Sequence, residues 1–281
     1  MTDEVAYAYA VLRALEDLGA AALDGVEGVA GASVRLVPES SGSALSAAVS
    51  SVPAGDFRED ALRSHLEDLD WLATVARAHH CVIEALAART TVLPLRLATV
   101  YLDDGRVAAM LREEAEEFSR ALERLAGHLE WGVKIYVEPQ PDPQATGTAS
   151  VADTASLADT ADGLGPGRAY LRARRDQRHS RDESYRAARQ AADRVEAIGR
   201  AMAAGHARHR VQQGELAAGA GENVVNDAYL LPREAAADFR ARVLGAAEGL
   251  SGIRIDVTGP WAPYSFATPP GARTPATDRA P

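Results

Sequence analysis

The amino-acid sequence predicts an α+β protein, and three observations lead to that class. The 281 residues are 47% hydrophobic and 25% charged, which is a globular composition and excludes a chain disordered throughout. Short β-prone runs and segments of helical periodicity occur on both sides of a low-complexity stretch. No apolar run approaches the roughly 18 residues that a membrane-spanning helix needs.

Residues 1–90 predict an N-terminal α+β domain of three strands followed by two helices. The strands are short, β-prone and bounded by Gly, Pro or Ser: Val5–Leu12, Ser33–Val37 and Leu45–Val52. One helical pattern follows Asp56. A stronger one runs from Leu72 to Leu86, where apolar residues recur at every third or fourth position.

Two β-α-β units are predicted downstream. The first comprises a strand, an amphipathic helix ended by Gly132, and a strand: Val92–Tyr101, Val107–Leu129 and Val133–Val137. The second comprises the strand Val224–Leu231, a helix that begins at Pro232, and the strand Ile253–Val257. Right-handed crossovers would place both helices on one face of a four-stranded sheet. Residues 91–138 and 222–268 therefore predict a ferredoxin-like (split βαβ) C-terminal domain.

The other face of this predicted sheet should carry mostly polar side chains: Arg96, Lys134, Tyr136, Arg254 and Asp256. Strand side chains alternate between the two faces, and these positions alternate with the apolar ones. We favour a face that docks on the N-terminal domain over one that is only solvated.

Two segments interrupt or follow the predicted sheet domain. Residues 139–167 are rich in Ala, Thr, Ser, Asp, Gly and Pro, and bury too little apolar surface to offset the entropy of ordering. They predict a flexible linker, and residues 269–281 predict a disordered tail for the same reason. Residues 168–215 predict an inserted long helical arm with a coiled-coil-like apolar stripe: Tyr185, Ala188, Ala192, Val195, Ile198 and Met202.

Charge is distributed unevenly along the chain. The net charge is −10, yet residues 168–281 carry 18 Arg and 13 acidic residues. The acidic bulk argues against nucleic acid as the main partner, because phosphate binding needs a basic surface. The arm is a candidate docking element for acidic protein surfaces, although a merely solvated helix is equally compatible with the pattern. Its candidate contact residues are Arg172, Arg174, Arg175 and Arg178.

No catalytic residue, cofactor site or metal site is predicted. Cys81 is the only cysteine, which excludes an internal disulfide and favours a reducing cytoplasm. The acidic start of the chain lacks the layout of a signal peptide. His206 and His209 are expected to share a helix face, but neighbouring arginines oppose cation binding there. His79 is expected to be a partly buried histidine of an apolar face whose ring nitrogen finds a backbone partner.

The segment Gly259–Phe266 is unusual for this chain. Three aromatic residues, Trp261, Tyr264 and Phe266, occur within six positions of a chain that is only 5% aromatic. Such a strip either seals the edge of its own sheet or binds a partner, and both functions are compatible. Together with Arg96 and the arginines of the arm, the three aromatic residues form the candidate partner interface.

Several segments, in their order along the chain, resemble the GvpL/GvpF family of gas vesicle proteins. The resemblance is carried by Val5–Tyr9, Ala78-His79, Val92–Val100, Gly132–Val137, Gly167–Leu171, Asn226–Leu230 and Gly259–Phe266. The chain departs from the usual family pattern at Leu97 and Ala98, where Phe and Gly are typical. A further departure is Ala262, where the family usually has Pro.

The resemblance implies a two-domain α+β protein with a ferredoxin-like C-terminal part. It also implies a non-enzymatic role in gas vesicle assembly, in the cytoplasm and on the gas vesicle, without a cofactor. The implied partners are the small hydrophobic shell protein and other accessory gas vesicle proteins, not nucleic acid or a membrane.

Two other functions stay open on the residues alone. One is a ferredoxin-like regulatory or RNA-binding module, which would need stacking aromatics on the central strands, where only Tyr136 qualifies. The other is a small-molecule enzyme, which would need a pocket with convergent polar groups.

Overall fold

A computed structural model describes residues 3–13, 23, 25–40, 42, 44–65, 67–138, 166–211 and 221–267. The chain divides into two compact units. Unit 1 comprises Met1–Trp131, Leu230–Arg233 and Gly259–Pro281, and unit 2 comprises Gly132–Tyr229 and Glu234–Thr258. Residues 139–165 of the predicted linker and the whole predicted tail, residues 269–281, lie outside the described residues. No helix of the described part is long and apolar enough to cross a membrane.

Unit 1 contains the three strands predicted near the start of the chain. These are β1 (Glu4–Arg13), β2 (Val34–Pro38) and β3 (Leu45–Pro53). Two short strands, β4 (Val92–Pro94) and β5 (Val100–Tyr101), complete a five-stranded sheet. The order is β2-β3-β1-β4, β5 also pairs with β1, and all the pairs are antiparallel.

Strand β1 is buried on both faces, and all eight of its inner residues are buried. Tyr7 and Tyr9 belong to one hydrophobic core, and Ala8 and Val11 belong to the other. The register with β3 shifts between Ala8 and Ala10, which is a β-bulge. Because of this bulge, Ala10 lies in the same core as Tyr9, although consecutive residues of a regular strand point to opposite faces.

Helices cover both faces of this sheet. The core that contains Tyr7 also includes residues of α1 (Ala54–Phe57) and α3 (Leu69–Ala87), with α2 (Glu59–His65) between them. The opposite core includes residues of α4 (Asp104–Glu113) and α5 (Ala115–Leu125). The side chains of Asp68 and Asp103 accept backbone N–H bonds at the starts of α3 and α4, which explains where these helices begin.

The second sheet differs from the ferredoxin-like prediction. It consists of β6 (His128–Val137), β7 (Gly205–Arg208), β8 (Glu222–Pro232) and β9 (Ile253–Trp261), in the order β7-β8-β6-β9. The prediction that Val92–Tyr101 is one strand of this sheet is wrong, because its two ends pair with β1 instead. The predicted domain boundary at residue 90 therefore does not coincide with the boundary between the compact units.

The chain leaves the first sheet between β4 and β5 for a local reason. Ala98 adopts φ 61, in the left-handed region, and the N–H of Thr99 donates to the carbonyl of Arg96 at 3.2 Å. This turn breaks the β-prone run into two short strands. The helix predicted from Val107 is likewise two helices, and Gly127, with φ 72, rather than Gly132 turns the chain into β6.

Unit 2 contains two helices, α6 (Pro166–Met202) and α7 (Ala236–Gly245), with most of the second sheet. The helical arm is shorter than predicted, because α6 ends at Met202 and β7 follows. The predicted stripe on α6 is offset: Ala188 and Val195 are buried, but Ala192 and Ile198 are only half-buried. Among the side chains of α6 that the structure describes, the buried ones are at Ser184, Ala188, Ala191, Val195 and Gly199.

The contact between Gly199 and Tyr229 explains why α6 has a glycine in its interior. Tyr229 is 1% exposed, and a Cβ built on Gly199 would overlap its ring. The same tyrosine ring also stacks on the ring of His206, with the ring centroids 4.7 Å apart and an angle of 8° between the ring planes. The ring therefore has no room to move away from an added methyl group.

We expect Gly199→Ala to destabilise unit 2 by about 1–3 kcal/mol, because the added methyl overpacks a filled site. Hydrogen exchange of the α6 and β8 amides would measure the change. Gly245→Ala is the matched control, because its nearest heavy atom lies 3.7 Å from the new Cβ. The control should be neutral or slightly stabilising, and equal effects of the two variants would contradict the explanation.

We expect Ala98→Gly to stabilise unit 1 by about 0.5–1 kcal/mol, because glycine adopts φ 61 without the strain that a Cβ brings. Urea unfolding followed by tryptophan fluorescence would measure it, since Trp71, Trp131 and Trp261 all belong to unit 1. The control is Ala126→Gly, at an exposed position with φ −57. A stabilisation shared by both variants would exclude backbone strain as the cause.

Candidate functional site

The closing segment Gly259–Phe266 is held in unit 1 by two carboxylates. The backbone N–H of Ala262 donates to Glu84 Oε1 at 3.1 Å. The backbone N–H and the hydroxyl of Ser265 donate to the two oxygens of Glu130, at 2.7 Å and 2.6 Å. Glu130 is 8% exposed, and a carboxylate that accepts two hydrogen bonds in such a site forms strong ones. The segment is therefore fixed in place.

The three aromatic residues of this segment have different environments. The ring of His80 lies between Trp261 and Tyr264, with centroid distances of 5.8 Å and 5.9 Å. The Tyr264 hydroxyl is 3.0 Å from His80 Nδ1. Burial, and secondarily the charges of nearby carboxylates, raise the pKa of Tyr264. Its hydroxyl therefore stays protonated and available for that hydrogen bond.

Only Trp261 of the three presents a large exposed surface. Phe266 packs against the core formed with α4 and α5, and its carbonyl accepts a bond from Arg124 Nη2 at 3.1 Å. Trp261 is 39% exposed. The structure thus places Tyr264 and Phe266 where they seal unit 1, and leaves the Trp261 indole available to a partner.

Arg96 lies apart from the sheet face on which it was expected. It is exposed, in the turn between β4 and β5, because that segment belongs to the first sheet. Lys134, Tyr136, Arg254 and Asp256 do lie on strands of the second sheet, and all four are half-buried.

The Tyr136 ring is not free to stack on a base. The Arg254 guanidinium lies over it, 4.0 Å from the ring centroid. That guanidinium is also bonded to Asp256 and lies 3.7 Å from Glu138. A nucleic-acid base would have to displace this paired cation, which weighs against the RNA-binding alternative.

The four candidate arginines of the arm lie on the first half of α6. All four are exposed: Arg172, Arg174, Arg175 and Arg178. Among the side chains that the structure describes between positions 172 and 183, none is buried, and packing of α6 begins at Ser184.

His206 and His209 do not share a helix face, because β7 replaces the predicted end of the arm. His206 Nε2 lies 2.9 Å from Asp227 Oδ2 on the neighbouring strand β8, and Arg208 Nε lies 3.5 Å from the other carboxylate oxygen. Asp227 is 4% exposed, and the Arg208 guanidinium is a cation beside this buried carboxylate. The described residues include no group of three side chains arranged to hold a metal ion.

His79 is buried, as predicted, but the partner of its Nδ1 is a tyrosine hydroxyl and not the backbone group that was expected. Its Nδ1 lies 3.0 Å from the Tyr7 hydroxyl, which accepts the backbone N–H of Ala98 at 3.0 Å. A hydroxyl oxygen can accept two hydrogen bonds, so the tautomer of the ring decides whether Tyr7 or His79 donates. Burial lowers the pKa of His79 to about 4. Sequence analysis missed the tyrosine partner, because it lies 72 residues away along the chain.

The comparison with known families decides what kind of protein this is. Residues 5–268 match the family of gas vesicle synthesis proteins GvpL/GvpF. The chain belongs to the GvpL/GvpF family. Family membership supports a role in gas vesicle formation, in a family of structural and assembly proteins that is not known for enzymes.

Individual relatives agree with this assignment. The chain is 43% identical to gas vesicle protein L from Streptomyces sp. (strain CB03234) over 267 residues, which cover 95% of this chain and 94% of that protein. The crystal structure of GvpF from Anabaena sp. PCC7120 covers 94% of this chain and 96% of its own, at 18% identity and a TM-score of 0.59.

The crystal structure of GvpF from Microcystis aeruginosa has 16% identity and a TM-score of 0.60, and covers 94% of this chain and 99% of its own. At such identities the two crystal structures support the fold alone. They agree with the mixed α+β class expected from the sequence.

We expect the stability of unit 1 to fall as the pH drops from about 6.5 to about 4, by up to about 3 kcal/mol. In the unfolded chain the His79 ring takes up a proton near the ordinary pKa of histidine. In the folded chain burial lowers this pKa to about 4. The contribution of the neutral His79 ring to the free energy of unfolding is therefore fully present above about pH 6.5 and is lost as the pH falls to about 4. Urea unfolding at several pH values, followed by tryptophan fluorescence, would measure the slope.

His79→Asn removes the titrating ring and keeps an acceptor for Tyr7, so it should flatten this pH dependence. His128→Asn, at a partly exposed position, should leave it unchanged. An unaltered slope in His79→Asn would show that another group causes the acid sensitivity.

Proposed function

We propose that the protein is a gas vesicle assembly protein that binds the small hydrophobic shell protein, with Trp261 as an anchor of the interface. It acts in the cytoplasm, where it holds shell subunits before they join the vesicle. The observation that carries the proposal is an exposed indole on a firmly bonded segment, in a chain of the GvpL/GvpF family.

The chemistry of the partner supports a binding function. A small shell subunit with a large apolar surface aggregates unless that surface is covered before assembly. Unit 1 offers several large apolar side chains to solvent: Leu69, Leu97, Leu102 and Trp261. The net charge of −10 keeps a complex of the two proteins soluble.

The fixed position of Trp261 favours it as the anchor. Glu84 and Glu130 hold the backbone on its C-terminal side, and His80 lies beside the ring. A side chain already fixed in its bound position loses little entropy on binding. Tryptophan is also among the residues that most often dominate interface energies.

We propose no catalytic step for this protein. Three buried polar residues of unit 1, Tyr7, His79 and Glu130, form hydrogen bonds that hold its segments together. No turnover of a small molecule is expected.

We expect Trp261→Ala to weaken binding of the shell protein about tenfold or more, because removal of an anchoring indole typically costs about 2 kcal/mol. The measurement is co-expression of the shell protein with the tagged full-length chain, followed by quantified retention. Leu244→Ala is the matched control, since Leu244 is 40% exposed but belongs to unit 2.

Far-UV circular dichroism would establish that both variants fold. Retention of the shell protein by wild type and by Leu244→Ala, with loss in Trp261→Ala, is the expected result. No retention by wild type, under conditions in which both proteins stay soluble, would overturn the proposed function. Equal retention by all three would overturn the role of Trp261.

A further inference from the structure

The first half of α6 has no buried side chain among those that the structure describes. From Arg172 to Glu183 no described side chain is buried, whereas every third or fourth residue from Ser184 onward is. A helix that is polar on all sides gains little from tertiary packing, and isolated helices are marginal in water. The described side chains of this half therefore present an exposed surface to a partner.

The exposed side chains of α6 from Arg172 to Arg189, which extend from the first half into the packed second half, are strongly basic. Residues 172–189 contain seven arginines and three acidic residues, in a chain whose net charge is −10. Five of the arginines lie on the side of α6 that faces away from its buried positions. We call them the basic face of α6, and all five are exposed: Arg172, Arg175, Arg178, Arg186 and Arg189.

We propose that the basic face of α6 is a docking surface for an acidic helix of a partner protein. The inference rests on the proposed function in one respect, namely that the partner belongs to the assembly of gas vesicles. The surface is distinct from Trp261, which belongs to unit 1, whereas α6 belongs to unit 2.

The spacing of the arginines matches a helix as the partner. Arg172 and Arg175 are three positions apart, as are Arg186 and Arg189, so each pair lies on one side of α6. The face extends over about 25 Å. A helix with carboxylates at every third or fourth position repeats at the same pitch, and guanidinium groups bind carboxylates through two parallel hydrogen bonds.

Nucleic acid and membranes match this surface less well. Single-stranded nucleic acid binds best where aromatic side chains stack on the bases. Tyr185, which lies on α6 between Arg178 and Arg186, is bonded to Glu222 instead. Membrane binding by a basic helix requires large apolar residues opposite the charges. The described side chains from Arg172 to Glu183 include none.

The test uses the full-length protein and a fluorescent, helical probe peptide of about 18 residues with Glu at every third or fourth position among alanines. Fluorescence anisotropy measures its dissociation constant. We expect binding that weakens at least about tenfold between about 50 mM and 300 mM salt, because charge pairing drives it. A peptide with Gln in place of each Glu should not bind.

Charge reversal of Arg172, Arg175 and Arg178 to Glu should weaken peptide binding at least about tenfold. Substitution of the same three by Lys should weaken it only a few-fold, because the charge remains but the bidentate geometry is lost. The matched control reverses three exposed arginines of unit 1, Arg63, Arg77 and Arg89, and should bind like wild type. Deletion of the whole arm is unsuitable, because it would remove the buried residues of α6.

Several results would overturn the proposal. These are no binding of the Glu peptide to wild type, equal weakening by the control reversal, and tighter binding of an RNA oligonucleotide or of phosphatidylserine vesicles than of the peptide. The shell-protein assay distinguishes this proposal from the proposed function. Peptide binding without retention of the shell protein would support the docking surface and reject the proposed function. Retention of the shell protein without peptide binding would support the proposed function and reject the docking surface.

Discussion

The Tyr7 hydroxyl holds together the three segments on which unit 1 depends. It accepts the N–H of Ala98 from the turn between β4 and β5, and it is bonded to His79 in the middle of α3. The tyrosine itself lies on the central strand and is fully buried. A buried hydroxyl without partners costs about 1–3 kcal/mol, so these bonds favour the assembled arrangement of the strand, the turn and the helix.

The closing segment depends on that assembly. Its anchors are His80 and Glu84 on α3, whose position is set by the neighbouring His79, and Glu130 on β6. Because buried hydrogen bonds fix the segment at several points, one exposed indole can be presented in a defined position. Tyr264 and Phe266 therefore contribute to the stability of unit 1, while Trp261 is available for binding.

Helix α6 combines two environments in one continuous element. Its second half is specified by packing, with Gly199 against the Tyr229 ring and the Arg194 guanidinium bonded to the carbonyls of Ala246 and Glu248. Its first half carries charge without packing. Because its second half is anchored by packing, the helix can present the arginines of the basic face at the spacing of the helix repeat.

The sequence by itself determined the α+β class, the strands β1, β2 and β3, the helix α3 and the family, because local periodicity and short motifs carry that information. It also identified Trp261 and the arginines of α6 as candidates. Tertiary structure alone decided that the two ends of Val92–Tyr101 join the first sheet, so that Arg96 does not lie on the second sheet. It also decided that β7 replaces the end of the predicted helical arm. The physical reason is that strand partners and buried bonds such as Tyr7 to His79 join residues far apart in sequence, whereas periodicity reports only which side chains are buried.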